Sequence, residues 1–386
     1  MKILYVNDYK ERVGGTEVYL DVLSTHLREL GNEVQFYYGS DSYQNSLNNK
    51  KKLSSYLNRI FSFKHFFGFA KVVSDFEPDV IHFQNIFNEL SPSILLQTKD
   101  IPVVMTLHDY FIVQAVFDSM TRGQQRCKKE ICPGCIHCVG IKGMVYEKIK
   151  RFIHKFFLPR IDLFIAPSRY MQSVVSENSS FRPRQIYNGF ELPDPLPFVF
   201  NHRMMYVGRL TKDKGVDFLV NAIPIIVETV PDFKLVVAGS GDLDQWMRKR
   251  VKELKVERFV DFLGSQTQKQ IFKEYESCTG LVVSSNWPEN LPTVCIESLS
   301  LGKPVVATHV GGIPEIVKEG QNGYLCEPRN ALDIANAVIK LLSDERIVFQ
   351  FSRNAVKSAG IFDINVHSQA ILDCYKKVIK ERNEKN

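Results

Sequence analysis

Two glutamates, Glu289 and Glu297, stand eight positions apart in the stretch PENLPTVCIESLSLGKPVVATHVGGIPEIV, residues 288–317. Ionised carboxylates only accept hydrogen bonds, which suits them to sugar hydroxyls. Leu281-Val282-Val283-Ser284-Ser285 reads as a strand and Pro288 to Pro292 as a loop. Thr293 begins a helix that Gly302 ends. Glu289 therefore lies in the loop, and Glu297 about one turn inside the helix. The first amides of that helix, near Thr293 and Val294, have no acceptor within it and suit a phosphate. The spacing allows one acid to hold a ribose and the other a second sugar across a diphosphate.

Cations stand at a second strand end. Tyr206-Val207-Gly208-Arg209-Leu210 is followed by Lys212, Lys214 and Gly215. Arg grips phosphate with a planar fork and Lys supplies a point charge; ordinary surface charge is the plainer reading. Gly14-Gly15-Thr16 separates the first strand from the first helix. Glycines there let amides approach an anion, and a tight turn explains them as well. Asp242-Leu243-Asp244 resembles a metal-binding D-x-D string but opens a helix, where acids serve as caps and complement the dipole.

Positioning these residues falls to alternating elements. KILYVN precedes the helix-period GGTEVYLDVLSTHLRELG, and EVQFYY, DVIHFQ, PVVMTLH and LFIAPS follow. After the stiff Pro193-Asp194-Pro195-Leu196-Pro197 the pattern restarts with RMMYVGRL, FKLVVAGSG, FVDFLG, GLVVSS, PVVAT and GYLCEP. Strand–helix alternation argues for parallel sheets covered on both faces. The fold class is α/β, with two Rossmann-like series, residues 1–183 and 184–362, and a last helix-like segment after them. Ligands of such sheets bind beyond the strands' C-terminal ends.

The 386 residues are 44% hydrophobic and 24% charged, an ordinary globular composition. No apolar run is long enough to span a membrane. The opening MKILYVNDYKERVGG is too soon charged for a signal peptide, so the cytoplasm is the expected compartment. The net charge of +6 sits in the first half: residues 1–190 carry 24 Lys and Arg against 18 Asp and Glu, and the remainder is balanced. Residues 42–74 contain no acid, and 122–160 hold ten basic residues against Glu130 and Glu147. Basic residues interleaved with aromatics, as in FSFKHFFGF and YEKIKRFIHKFF, suit the anionic inner face of a membrane; amphipathic helices covering a sheet are the plainer reading.

Four of eight cysteines form C-x4-C-x2-C-x2-C: Cys127, Cys132, Cys135 and Cys138. In a reducing compartment this clustering favours a tetrahedral structural zinc, with free thiols or a disulfide as the alternative. Cys278, Cys295, Cys326 and Cys374 are scattered and read as core.

The E-x7-E pair, followed by G-x-PVVAT and GG-x-PE, resembles the signature of retaining glycosyltransferases of the GT4 family. Asn188-Gly189, VGRL with Lys214-Gly215, Ala238-Gly239-Ser240-Gly241 and Phe262-Leu263-Gly264 fall in that family's order. The resemblance implies a GT-B fold, with a nucleotide-sugar in the cleft and residues 363–386 crossing back to the N-terminal, acceptor-side domain. It implies that Arg209 and Lys214 neutralise the donor diphosphate, Glu297 binds ribose and Glu289 holds the transferred sugar. Gly15 would line the cleft, and His108 would face the reacting sugar. Gly208, Gly239, Leu263, Leu291, Thr293 and Val294 complete the implied donor site. Where many members have Gly-Phe-Gly, this chain has Asn290-Leu291-Pro292, and Pro292 lacks an N–H.

The expected function is transfer of a sugar from a UDP- or GDP-linked donor to a saccharide or lipid-linked saccharide, in cell-surface polysaccharide synthesis. Catalysis needs no cofactor in this reading, and no nucleic-acid partner is expected. A nucleotide-sugar epimerase or hydrolase on the same fold remains an alternative, as does a zinc-bearing nucleic-acid-binding protein.

Overall fold

Strands whose side chains are buried without alternation need cover on both faces. The strand KILYVNDY is buried from its second residue to its last, and VIHF and VVMT are buried throughout. A computed structural model of the chain describes residues 1–11, 15–41, 61–86, 89–110, 112–113 and 155–384, with 141, 144, 145, 148, 149, 152 and 153 between. It divides into two units, Met1–Phe190 with Ile364–Asn386, and Glu191–Asp363.

The first unit begins with β1 (Lys2–Tyr9), α1 (Gly15–Glu29), β2 (Glu33–Ser40) and α2 (Phe63–Phe76). Then come β3 (Val80–Phe83), β4 (Val103–Thr106), β5 (Leu163–Ala166), α3 (Arg169–Asn178) and β6 (Arg184–Gln185). All six strands are parallel, in the order β2-β1-β3-β4-β5-β6. Because β6 pairs with β5, residues 184–190 go with this unit, whereas the sequence reading divides the chain at 183/184.

In the second unit, β7 (Arg203–Val207), α4 (Val216–Thr229), β8 (Lys234–Ala238), α5 (Asp244–Glu253), β9 (Val260–Gly264) and α6 (Gln268–Tyr275) come first. They are followed by β10 (Gly280–Val283), α7 (Thr293–Ser300), β11 (Val305–Thr308), α8 (Ile313–Ile316), β12 (Gly323–Cys326), α9 (Ala331–Leu342) and α10 (Glu345–Ala359). This parallel sheet runs β12-β11-β10-β7-β8-β9. Strand order reverses between β7 and β10, the place where such sheets open a ligand crevice. Leu235 and Val237 of β8, Leu219 and Ile223 of α4, and Val338 and Leu341 of α9 belong to one buried core.

The chain then returns to the first unit as α11 (Ile364–Asn383). Ile371, Cys374 and Tyr375 of α11 join Ile3, Tyr5, Leu23 and Leu27 in the first core. The Tyr375 hydroxyl bonds the Tyr5 hydroxyl at 2.9 Å and His82 Nδ1 at 2.6 Å, and His82 Nε2 meets Thr106 Oγ1 at 2.8 Å. Cys278, Cys295, Cys326 and Cys374 are all buried, as their scatter suggests. The four clustered cysteines, Cys127, Cys132, Cys135 and Cys138, lie outside the described residues, as does most of the acid-free segment 42–74. No helix among the described residues is long and apolar enough to cross a membrane.

Candidate functional site

Lys214 ends the 3-10 turn Lys212–Lys214 after β7, and Glu289 lies in the loop after β10. Their side chains meet: Lys214 Nζ donates to Glu289 Oε1 at 2.5 Å. Ser285 Oγ donates to the same oxygen at 2.7 Å. The segment just after β10 also holds the turn that carries the lysine. Ser284 Oγ donates to Lys214 O at 2.9 Å, Asn286 N to Asp213 O at 2.7 Å, and Asn286 Nδ2 to Lys212 O at 3.2 Å. Gly215 closes this turn in the left-handed region, φ 64°, and a Cβ there would stand 1.9 Å from Ser284 O. Conformation and space both require glycine.

The Gly-Gly pair after β11 packs against the main chain of the Glu289 loop. Gly312 N donates to Glu289 O at 2.7 Å. Gly311 has φ 55°, and a Cβ on it would lie 2.1 Å from that same oxygen. The buried strand PVVAT thus brings the chain back against the loop of the first acid.

Glu297 sits on α7, whose N-cap is Pro292 with no side-chain bond. The first amides, at Thr293 and Val294, lie at a helix end with the positive dipole behind them. Gln268 Nε2 donates to Glu297 Oε1 at 3.2 Å. Burial, offset in part by that bond, raises the Glu297 carboxyl above its usual range. Arg209 is the exposed member, with its side chain 71% accessible and Nη2 3.3 Å from Asp213 Oδ2. Backbone bonds gather the neighbouring strand ends, Gly208 N to Ala238 O at 3.1 Å and Gly239 N to Gly264 O at 2.8 Å. Leu263 lies on β9, and Leu291 in the loop before α7; both are half-buried.

Asp244 of the D-x-D string is the first residue of α5 and accepts from Arg248 Nε at 2.7 Å. The N-cap is Leu243, so the acid complements the dipole and an i,i+4 partner rather than capping by side chain. Among the described residues, no group of three or more His, Cys, Asp or Glu could hold a metal ion.

In the first unit, Gly15 is the exposed first residue of α1. His108 follows β4; its Nε2 lies 2.6 Å from Gln84 Oε1 and its ring 5.6 Å from that of Tyr19. The Tyr19 hydroxyl bonds His367 Nε2 at 2.8 Å, and His367 Nδ1 lies 2.6 Å from Tyr187 O. A carbonyl only accepts, so His367 carries its proton on Nδ1 and the tyrosine donates to Nε2. Burial, with His367 nearby, lowers His108 to about 3, and burial lowers His367 to about 4. Both rings are neutral at pH 7.

Residues 201–358 match the family model of Glycosyl transferases group 1, and residues 13–192 that of Glycosyltransferase Family 4. The chain belongs to the GT4-type, GT-B glycosyltransferases. An uncharacterized glycosyltransferase of Methanocaldococcus jannaschii is 26% identical to this glycosyltransferase over 90% of each chain. The N-acetyl-alpha-D-glucosaminyl L-malate synthase of Bacillus anthracis is 30% identical over 47% of each. The solved structure of Anabaena HepE in complex with UDP is similar with TM-score 0.72 and 21% identity, covering 98% of this chain and 100% of that one. That likeness carries the GT-B fold.

Sequence reasoning about this glycosyltransferase names Lys214 and Glu289, and the structure joins them. Arg209 and Glu297 have partners of their own, Asp213 and Gln268. Ser284, Ser285 and Asn286 escape a motif search, because short polar residues after a strand look like any loop. Their one signal is position, directly after β10 and just before the first acid. Gln84, Tyr19 and His367 are likewise invisible; their link to His108 comes only from folding.

Proposed function

We propose that this glycosyltransferase moves a sugar, with retention of anomeric configuration and without a catalytic metal, from a UDP- or GDP-linked donor to a saccharide or lipid-linked saccharide of the cell surface. The second unit is the donor-binding domain and the first the acceptor-side domain. The observation that carries the reading is the joining of Lys214 to Glu289, beside the N-terminus of the helix that bears Glu297. Departure of a nucleoside diphosphate builds negative charge. Arg209, Lys214 and the amides at Thr293 and Val294 stabilise that charge. Glu297 accepts from the ribose and Glu289 from the transferred sugar. Gly208, Gly239, Leu263 and Leu291 shape the walls around the nucleotide. Gly15 of the first unit is assigned to the donor and His108 to the reacting sugar. The acceptor attacks on the face that the diphosphate leaves, and the departing phosphate helps take its proton.

The first unit also supports docking on an anionic membrane surface. Phe63 and Phe67 of α2 are 71% and 64% exposed, with Lys64 and Lys71 exposed beside them. Ile141, Val145, Ile149, Phe152 and Phe156 are exposed at helical spacing, with Lys148, Lys155 and Arg160 exposed on the same stretch. Flotation with vesicles containing anionic lipid tests this; equal recovery with neutral vesicles removes it.

A thermal-shift panel of UDP, GDP, ADP and their sugars, with and without EDTA, tests the donor reading. At ~100 times its dissociation constant a ligand stabilises by ~2.7 kcal/mol. A shift with one base that survives EDTA, followed by anomer analysis of the product, supports metal-free retaining transfer. A shift that EDTA abolishes refutes the metal-free element, and product of inverted configuration refutes retention.

A further inference from the structure

Glu289 is restrained at its main chain and at one carboxylate oxygen. Gly312 N fixes its carbonyl at 2.7 Å, while Lys214 and Ser285 both bond Oε1, at 2.5 and 2.7 Å. Neither of those two bonds uses Oε2. A carboxylate accepts through both oxygens, so the restraint orients Oε2 without occupying it.

Ser285 is itself seated from behind. It is 1% exposed, and its carbonyl accepts from Thr308 Oγ1 at 2.7 Å. Thr308 is fully buried at the end of β11. Thr308 Oγ1 donates to the Ser285 carbonyl and so holds the residue's main chain, while the Ser285 hydroxyl, which toward a carboxylate acts only as donor, bonds Glu289. Lys214 has three N–H donors and uses one on Glu289, which leaves donors for an anion.

We propose that Ser285, seated by Thr308, is a positioning residue of the donor site that keeps Glu289 Oε2 turned to the hydroxyls of the transferred sugar while Lys214 keeps its remaining N–H groups for the diphosphate. This rests on the donor-site reading above. The assignment separates two recognitions that share one oxygen. Loss of the serine hydroxyl loosens the carboxylate that reads the sugar and leaves the lysine in place for the phosphates.

Calorimetric titration of the wild type, Ser285→Ala, Thr308→Val and Thr308→Ser with UDP, UDP-glucose, GDP and GDP-mannose tests the assignment. Thr308→Val keeps the shape of the side chain and removes its hydroxyl; Thr308→Ser keeps the hydroxyl. For the base that binds, Ser285→Ala and Thr308→Val weaken the nucleotide-sugar about tenfold, leave the bare nucleoside diphosphate within about twofold, and Thr308→Ser stays near wild type. Equal weakening of nucleotide and nucleotide-sugar overturns the positioning role and leaves the donor site standing. Thr308→Val and Thr308→Ser behaving alike also overturns it, and this pair decides the matter if Ser285→Ala does not fold. Absence of binding by the wild type to all four probes refutes the donor-site reading, and the positioning role falls with it.

Discussion

Glu297 carries the clearest pH signature of the proposed donor site. Burial raises its carboxyl, so it takes up a proton at higher pH than an exposed glutamate does. A protonated carboxyl loses acceptor capacity. Nucleoside-diphosphate affinity should therefore fall on acidification before ordinary carboxylates titrate, and Glu297→Gln should flatten that limb in titrations from pH 7 to pH 4. Arg209→Ala and Glu297→Ala should each lower turnover by about a hundredfold or more, with melting temperature little changed for the exposed arginine. The histidines of the first unit bear on stability instead. The unfolded chain protonates its imidazoles below the ordinary 6.5, whereas His367 in the folded chain does so only near 4. Stability contributed by the neutral ring is complete above pH 6.5 and is lost as pH falls toward about 4, by up to roughly 3 kcal/mol. Denaturant melts at pH 7 and pH 4.5 should show that loss, and His367→Gln should reduce the difference between them.

Among the elements, β11 and the glycines after it are as much part of the site as the acid-bearing loop. Gly311→Ala should displace the Glu289 loop, because the new Cβ would lie 2.1 Å from Glu289 O at a φ of 55°. Nucleotide-sugar turnover should fall with it, and the fold should lose about 1–3 kcal/mol, read from chemical denaturation. Elements of this kind were legible in the sequence. Apolar runs such as VVMT and LVV, each followed by a polar turn and a helix-period segment, give the parallel alternation directly. The strand ends were legible too, so Gly208, Arg209, Lys214, Glu289 and Glu297 could be placed beyond them. Partners across the sheet were not. Lys214 and Glu289 are 75 positions apart, and nothing local to either one predicts that they share a hydrogen bond or that Ser285 joins them. The capping of α5 shows the same limit: Asp242 and Asp244 look like caps in the string, but the helix starts one residue after Leu243.

For the molecule as a whole, the tie between α11 and the first sheet joins residues 370 positions apart. Tyr375→Phe removes the hydroxyl shared by Tyr5 and His82 and leaves His82 Nδ1 buried without that partner. It should cost about 1–3 kcal/mol, seen as a lower melting temperature, while nucleotide affinity in the second unit stays unchanged. The division at 183/184 falls ahead of the proline-rich stretch 193–197 and cuts off Arg184–Gln185, a strand too short to announce itself, whose pairing with β5 goes with a boundary at Phe190. Chain order gives the α11 tie a further meaning during synthesis. Tyr5 is made 370 positions before its hydroxyl partner Tyr375. The first unit's core therefore lacks one wall until the whole second unit and α11 have left the ribosome, whereas the second unit holds all its own segments in one continuous run. The unit made first is the unit completed last, and until α11 arrives the apolar face of its sheet that α11 covers stays open, the kind of surface that drives misassembly during folding.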